Sequence, residues 1–90
     1  MLVNNAARGD FDLAANLSTR QRNAMFDLNV NVPVELLQQA LPGMRAKGGG
    51  WCLNISSRTA ETIEPPYPDA KIAAFVVGGY GATKSALNRY

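Results

Sequence analysis

Tyr80-Gly81-Ala82-Thr83-Lys84 sets a phenol and an ammonium four residues apart. In a helix, positions i and i+4 share a face, so both groups project toward one point. An unassisted tyrosine is a poor base at neutral pH. A cation beside it favours the phenolate, and the pair can then pass a proton to or from a hydroxyl or carbonyl oxygen. The same spacing also describes an ordinary helix surface. The stretches before it decide between the two readings.

Working back along the chain, Trp51-Cys52-Leu53-Asn54-Ile55-Ser56-Ser57 follows Gly48-Gly49-Gly50. It predicts a buried strand that ends in two hydroxyls, with Cys52 as a small core residue. In an open α/β sheet, the carboxyl end of a strand is where ligands are met, although a serine there also serves as a cap or turn. Met1-Leu2-Val3 runs into Asn4-Asn5-Ala6-Ala7, an apolar strand with small and amide residues at its end. That end reads as a plain turn or as a place where a ligand approaches the backbone.

Between these strands the pattern is helical. Ser18 and Gln21 have capping-box spacing, and residues 8–17 before them are loop-like. Val30, Val34, Leu37, Leu41 and Met44 recur at intervals of four, three, four and three, a helix seam for the core or for a partner. Pro42-Gly43 and the glycine run are expected to end this helix. Pro33 supplies no N–H, so the carbonyl of Asn29 loses its i+4 donor. The helix kinks or restarts there, which leaves Asn29 at a discontinuity where a water is a natural partner.

Residues 58–79 read as a long connection containing Pro65, Pro66, Tyr67 and Pro68, with the apolar run Ile72 to Val77. Connections of that length tend to be functional. Gly78 to Ser85 must also be weighed as a phosphate loop. That motif needs glycine where Thr83 stands, and a β-branched residue cannot wrap a phosphate in the same way.

Composition bounds the rest. A net charge of +2 with scattered arginines gives no basic patch for nucleic acid. The absence of histidine excludes Ser-His-Asp and Cys-His catalysis within these ninety residues and argues against a zinc site. A single cysteine forms no internal disulfide, and no apolar run is long enough to span a bilayer. The chain reads as cytoplasmic, without membrane or nucleic-acid partners.

Taken in order, these segments resemble the central part of a short-chain dehydrogenase/reductase. Leu2 to Ala7 is similar to the family's N-N-A-G strand end, with Ala7 in place of glycine. Asn29, thirteen residues before Pro42, is similar to its active-site asparagine. Asn54-Ile55-Ser56-Ser57 resembles its serine strand, and Tyr80 with Lys84 its catalytic pair. The resemblance implies an α/β fold: residues 1–90 as part of one Rossmann-like, doubly wound parallel sheet in three αβα layers. It implies a catalytic set of Asn29, Ser57, Tyr80 and Lys84, without metal, that interconverts alcohol and carbonyl. Asn4, Asn5, Ala6, Ala7, Tyr80 and Lys84 would bind NAD or NADP. Lys84 would favour the phenolate and hold ribose hydroxyls, Ser57 would bind the substrate oxygen, and Asn29 would hold a water leading to Lys84.

The resemblance further implies a homodimer or homotetramer, and a chain truncated at both ends. The family's glycine-rich turn, the residue choosing between NAD and NADP, and the later strands fall outside these residues. The interval from Ser57 to Tyr80 is longer than the family pattern, so 58–79 reads as an insertion bordering the active site. The competing expectation is an inactive chain that serves as an interaction module through its helical seam.

Overall fold

The computed structural model describes residues 1–10, 12, 14–61, 66 and 78–90. Two short strands, β1 (Leu2–Asn4) and β2 (Cys52–Asn54), pair in parallel with Leu2 opposite Cys52 and Asn4 opposite Asn54. A parallel pair needs a crossover, and the helices between the strands supply it. The Leu2 N–H donates to the Trp51 carbonyl at 2.8 Å and the Ile55 N–H to the Asn4 carbonyl at 3.0 Å, closing the ladder at both ends.

Helix α1 (Thr19–Phe26) begins at the expected box. The Gln21 N–H donates to Ser18 Oγ at 3.1 Å, and the Ser18 N–H donates to Gln21 Oε1 at 2.9 Å, so two orphan donors are satisfied reciprocally. The discontinuity before Pro33 is a π turn, Asp27–Asn31, in which the Val32 N–H reaches back five residues to the Asp27 carbonyl. The helix therefore widens by one residue and continues as α2 (Val32–Ala46), with Pro33 in its first turn. Single π turns of this kind often accompany functional sites.

The expected stop at Pro42-Gly43 does not occur. Pro42 lies inside α2, giving up its own i−4 bond, and the helix runs on to Ala46. A Schellman motif ends it: the Gly48 N–H donates to the Arg45 carbonyl at 3.1 Å and the Gly49 N–H to the Met44 carbonyl at 2.8 Å. Gly48, at φ 87°, adopts the left-handed conformation that this cap requires.

Met25, Val30 and Leu87, with Pro33, are the buried apolar side chains among the described residues, so the core sits where α1, the π turn and the start of α2 meet the closing helix α3 (Gly79–Leu87). The strand at 51–57 is not buried as its hydropathy suggests. Trp51 is 79% exposed and Cys52 is also exposed, so neither is covered by an element among the described residues. Cys52 is therefore not a core residue. Tyr67 and the run Ile72 to Val77 lie outside the described residues.

Candidate active site

Helix α3 is held at its start by close packing. A Cβ on Gly79 would lie 2.7 Å from Leu17 Cδ1 and 2.9 Å from Met25 Cε, so a larger residue there would have to push the ends of those two flexible side chains aside. From there Tyr80 and Lys84 fall on one face, as their spacing predicts. The Lys84 Nζ lies 5.8 Å from the centroid of the Tyr80 ring, at the outer reach of a cation–π contact. This ordered helix, with Thr83 buried and Lys84 turned into the protein, removes the phosphate-loop reading of Gly78 to Ser85.

Lys84 is 3% exposed. Its ammonium donates to the Ile55 carbonyl at 2.8 Å, and burial pushes its pKa below the ordinary lysine value. That carbonyl lies just beyond β2, so the end of the strand is the fixed point on which the lysine is anchored. An ammonium has three donors, and this bond occupies one of them.

Ser57 follows two residues later, at the start of a 3-10 turn, Arg58–Ala60. Its Oγ accepts from the Thr59 N–H at 3.2 Å and from Thr59 Oγ1 at 2.9 Å. A hydroxyl has two lone pairs and one proton, so both acceptor positions are taken and the proton is what Ser57 has left to offer. The turn is bolted to α3 by Ser85, whose Oγ donates to the Ala60 carbonyl at 2.6 Å. Neighbouring Ser56 has a buried Oγ with no hydrogen-bond partner among the described residues.

Asn29 is 0% exposed, in the middle of the π turn. Its carboxamide accepts the Arg8 N–H at 2.8 Å, donates to the Arg8 carbonyl at 2.8 Å, and donates to Thr83 Oγ1 at 3.0 Å. The reverse amide orientation would set oxygen against oxygen at Arg8, so the network admits one arrangement. Asn29 thus joins the segment after β1 to the helix bearing Tyr80 and Lys84. Thr83 is the partner that sequence reasoning passed over, weighing it only against a phosphate loop. The available signal was a hydroxyl one residue before the lysine on a helix that had to pack inward.

The residues at the end of β1 divide into two kinds. Asn4 is buried and donates to Asn54 Oδ1 across the strands at 2.8 Å. Asn5, Ala6 and Ala7 are exposed beyond the strand end. Asn5 and Ala6 border a cavity of about 90 Å³ whose other wall is Leu28, Val32, Pro33 and Leu36. Arg8 and Asp10 close the segment with an ion pair at 2.7 Å. No group of three or more metal-ligating side chains occurs among the described residues, and no helix there is long and apolar enough to cross a membrane.

Parallel strands, a tyrosine–lysine helix face anchored on the serine strand, and an asparagine in a π turn occur here in one chain. Its entire length, residues 1–90, matches the family model described as short chain dehydrogenase. The chain belongs to the short chain dehydrogenase family. Searches of curated proteins and of solved structures returned no match. Membership carries with it a Rossmann-like fold, of which the parallel pair and its crossover helices are the described part.

Proposed function

We propose that the chain carries the reacting centre of an NAD(P)-dependent oxidoreductase interconverting a small alcohol and its carbonyl. The observation that supports this most directly is the Lys84 ammonium, buried beside the Tyr80 ring and tied to the carbonyl two residues before Ser57. A binding module has no need of a desolvated cation at that point, since burying one costs free energy. Favouring a phenolate and donating to diol hydroxyls are uses that repay it.

The donor set suits a nicotinamide dinucleotide. Lys84 keeps two N–H donors beyond its bond to Ile55, enough for a ribose diol. Asn5, Ala6 and Ala7 present small, exposed residues at a strand end, where backbone can approach a ligand, and Ala7 adds a methyl that narrows the fit. When bound, such a cofactor accepts or gives the hydride, which no side chain can do. In the oxidative direction Tyr80 takes the hydroxyl proton as the substrate's C–H electrons leave. Ser57 donates its remaining hydrogen to the same oxygen, and the buried Lys84 charge steadies the phenolate. In the reductive direction Tyr80 returns the proton. In the finer reading the strands belong to a three-layer, doubly wound sheet, and the chain acts within a homo-oligomer.

The test is spectrophotometric. The intact protein is incubated with NAD or NADP and a panel of aliphatic and cyclic secondary alcohols, and formation of reduced nicotinamide is followed. Tyr80→Phe should lower turnover by about 10²–10⁴-fold while dinucleotide affinity and melting temperature hold. A parent protein that binds neither dinucleotide, or a Tyr80→Phe variant with undiminished turnover, would sink this reading and favour the interaction module.

A further inference from the structure

Thr83 has no part in the proton transfer proposed above, yet its side chain is fully buried. Its hydroxyl accepts from Asn29 Nδ2 at 3.0 Å and donates to the Tyr80 carbonyl at 2.7 Å. Asn29 in turn grips both the N–H and the C=O of Arg8, each at 2.8 Å. The four residues form one relay in which every hydrogen has an acceptor. It begins in the segment just after Asn4 to Ala7 and ends on the backbone of Tyr80.

A threonine inside a helix commonly donates to the carbonyl three or four residues back, and that bond alone would be a local affair. Here the oxygen also receives a hydrogen from a residue 54 positions away in the sequence. That donor is itself locked to a third segment. The Asn29–Thr83 bond at its centre is buried, so water cannot replace a lost partner there cheaply.

We propose that Thr83 is a positioning residue. Its hydroxyl fixes the backbone of Tyr80 to the segment after β1, so that the proton-transferring phenol and the strand end that would face the dinucleotide move as one body. The proposal rests on the oxidoreductase reading, and two readouts separate the two claims. Proton transfer is sensitive to small displacements of the reacting groups, so a loosened relay should slow turnover more than it weakens substrate binding.

Thr83→Val keeps the shape and removes the hydroxyl; Thr83→Ser keeps the hydroxyl. In the intact protein, amide hydrogen exchange at Arg8 is measured by NMR, together with kcat and KM for the best secondary alcohol of the panel. In the parent, the Arg8 amide should be protected. Thr83→Val should speed its exchange by about threefold to tenfold, the worth of one hydrogen bond. It should lower kcat while KM for the alcohol holds, and Thr83→Ser should restore both. An unprotected Arg8 amide in the parent overturns the proposal even if Thr83→Val fails to fold. So does Thr83→Val with unchanged exchange or unchanged kcat, or a serine variant that rescues neither. If exchange at Arg8 responds but the parent turns over no alcohol with either cofactor, the lock stands and the oxidoreductase reading falls.

Discussion

The helix junction and the strand pair invert the usual placement of polar and apolar groups. At the junction, Asn29, Thr83 and Lys84 are buried, each with hydrogen-bond partners. On the strands, Val3 is 47% and Leu53 51% exposed although they sit side by side across the ladder. Buried polar groups cost free energy unless fully paired, whereas exposed apolar ones are tolerated singly and conspicuous in patches. Asn29 and Thr83 therefore contain their own complement, and Lys84 has part of it in the Ile55 carbonyl. The open strand face does not, and it has the composition of a surface meant to be covered.

The largest structural effect should come from breaking the junction. Asn29→Leu keeps the branched shape, though it is bulkier, and strands Thr83 Oγ1 and both backbone groups of Arg8. Leaving the buried Thr83 oxygen without its donor should cost about 1–3 kcal/mol. Chemical denaturation of the intact protein reads this as a lower midpoint with an unchanged slope. A variant as stable as the parent would mean that the relay is incidental and that the contrast with the sheet is only one of solvent exposure.

This relay also marks where sequence reading stopped. The capping box at Ser18 and the shared face of Tyr80 and Lys84 depend on residues three or four apart, so local geometry made them legible. Pro33 announced a discontinuity, because a missing N–H is a property of one residue. It could not say that the repair would be a π turn rather than a kink. The partnership of Asn29 with Thr83 depends on how two distant helices settle, and neither residue carries a local mark of it. Hydropathy misplaced Cys52 for a related reason: an apolar strand records that it should be covered, not what covers it. Pro42 reads as a stop because proline usually is one, yet α2 tolerates the loss of a single bond and ends where the glycines allow a cap.

A smaller effect is expected from pH. Burial lowers the Lys84 pKa in the folded state, so the unfolded chain keeps that proton to higher pH than the folded one. Stability therefore carries a penalty below the lowered folded value. It rises with pH from there to the ordinary lysine value, because in that window unfolding takes up a proton. Lys84→Met, similar in length and uncharged, should flatten this rise when denaturation midpoints are compared from neutral to alkaline pH. An equally steep rise in the variant would assign the effect to another group. It would also weaken the case that the junction holds a costly buried cation.

The smallest effect on stability, and the sharpest test of the contrast, should come from the open strand face. Val3 and Leu53 are opposite partners, and Trp51 and Ile55 flank them in sequence on the β2 side, all substantially exposed. Replacing the central pair, Val3→Lys with Leu53→Lys, removes apolar surface from water without opening a cavity. In the ninety-residue chain, helical circular dichroism should be unchanged and stability should move by no more than about 0.5 kcal/mol. What should change is association. An apolar face beside strand edges that are unpaired among the described residues invites contact between chains, and two lysines there oppose it, so light scattering at a given concentration should fall. Loss of helical signal would show that the face packs within the chain after all, and the division between a self-contained junction and an uncovered sheet would fail. In a longer protein that covers this face, the same pair would bury two charges and unfold the domain. The size of the effect in each context therefore reports whether a further layer rests on these strands.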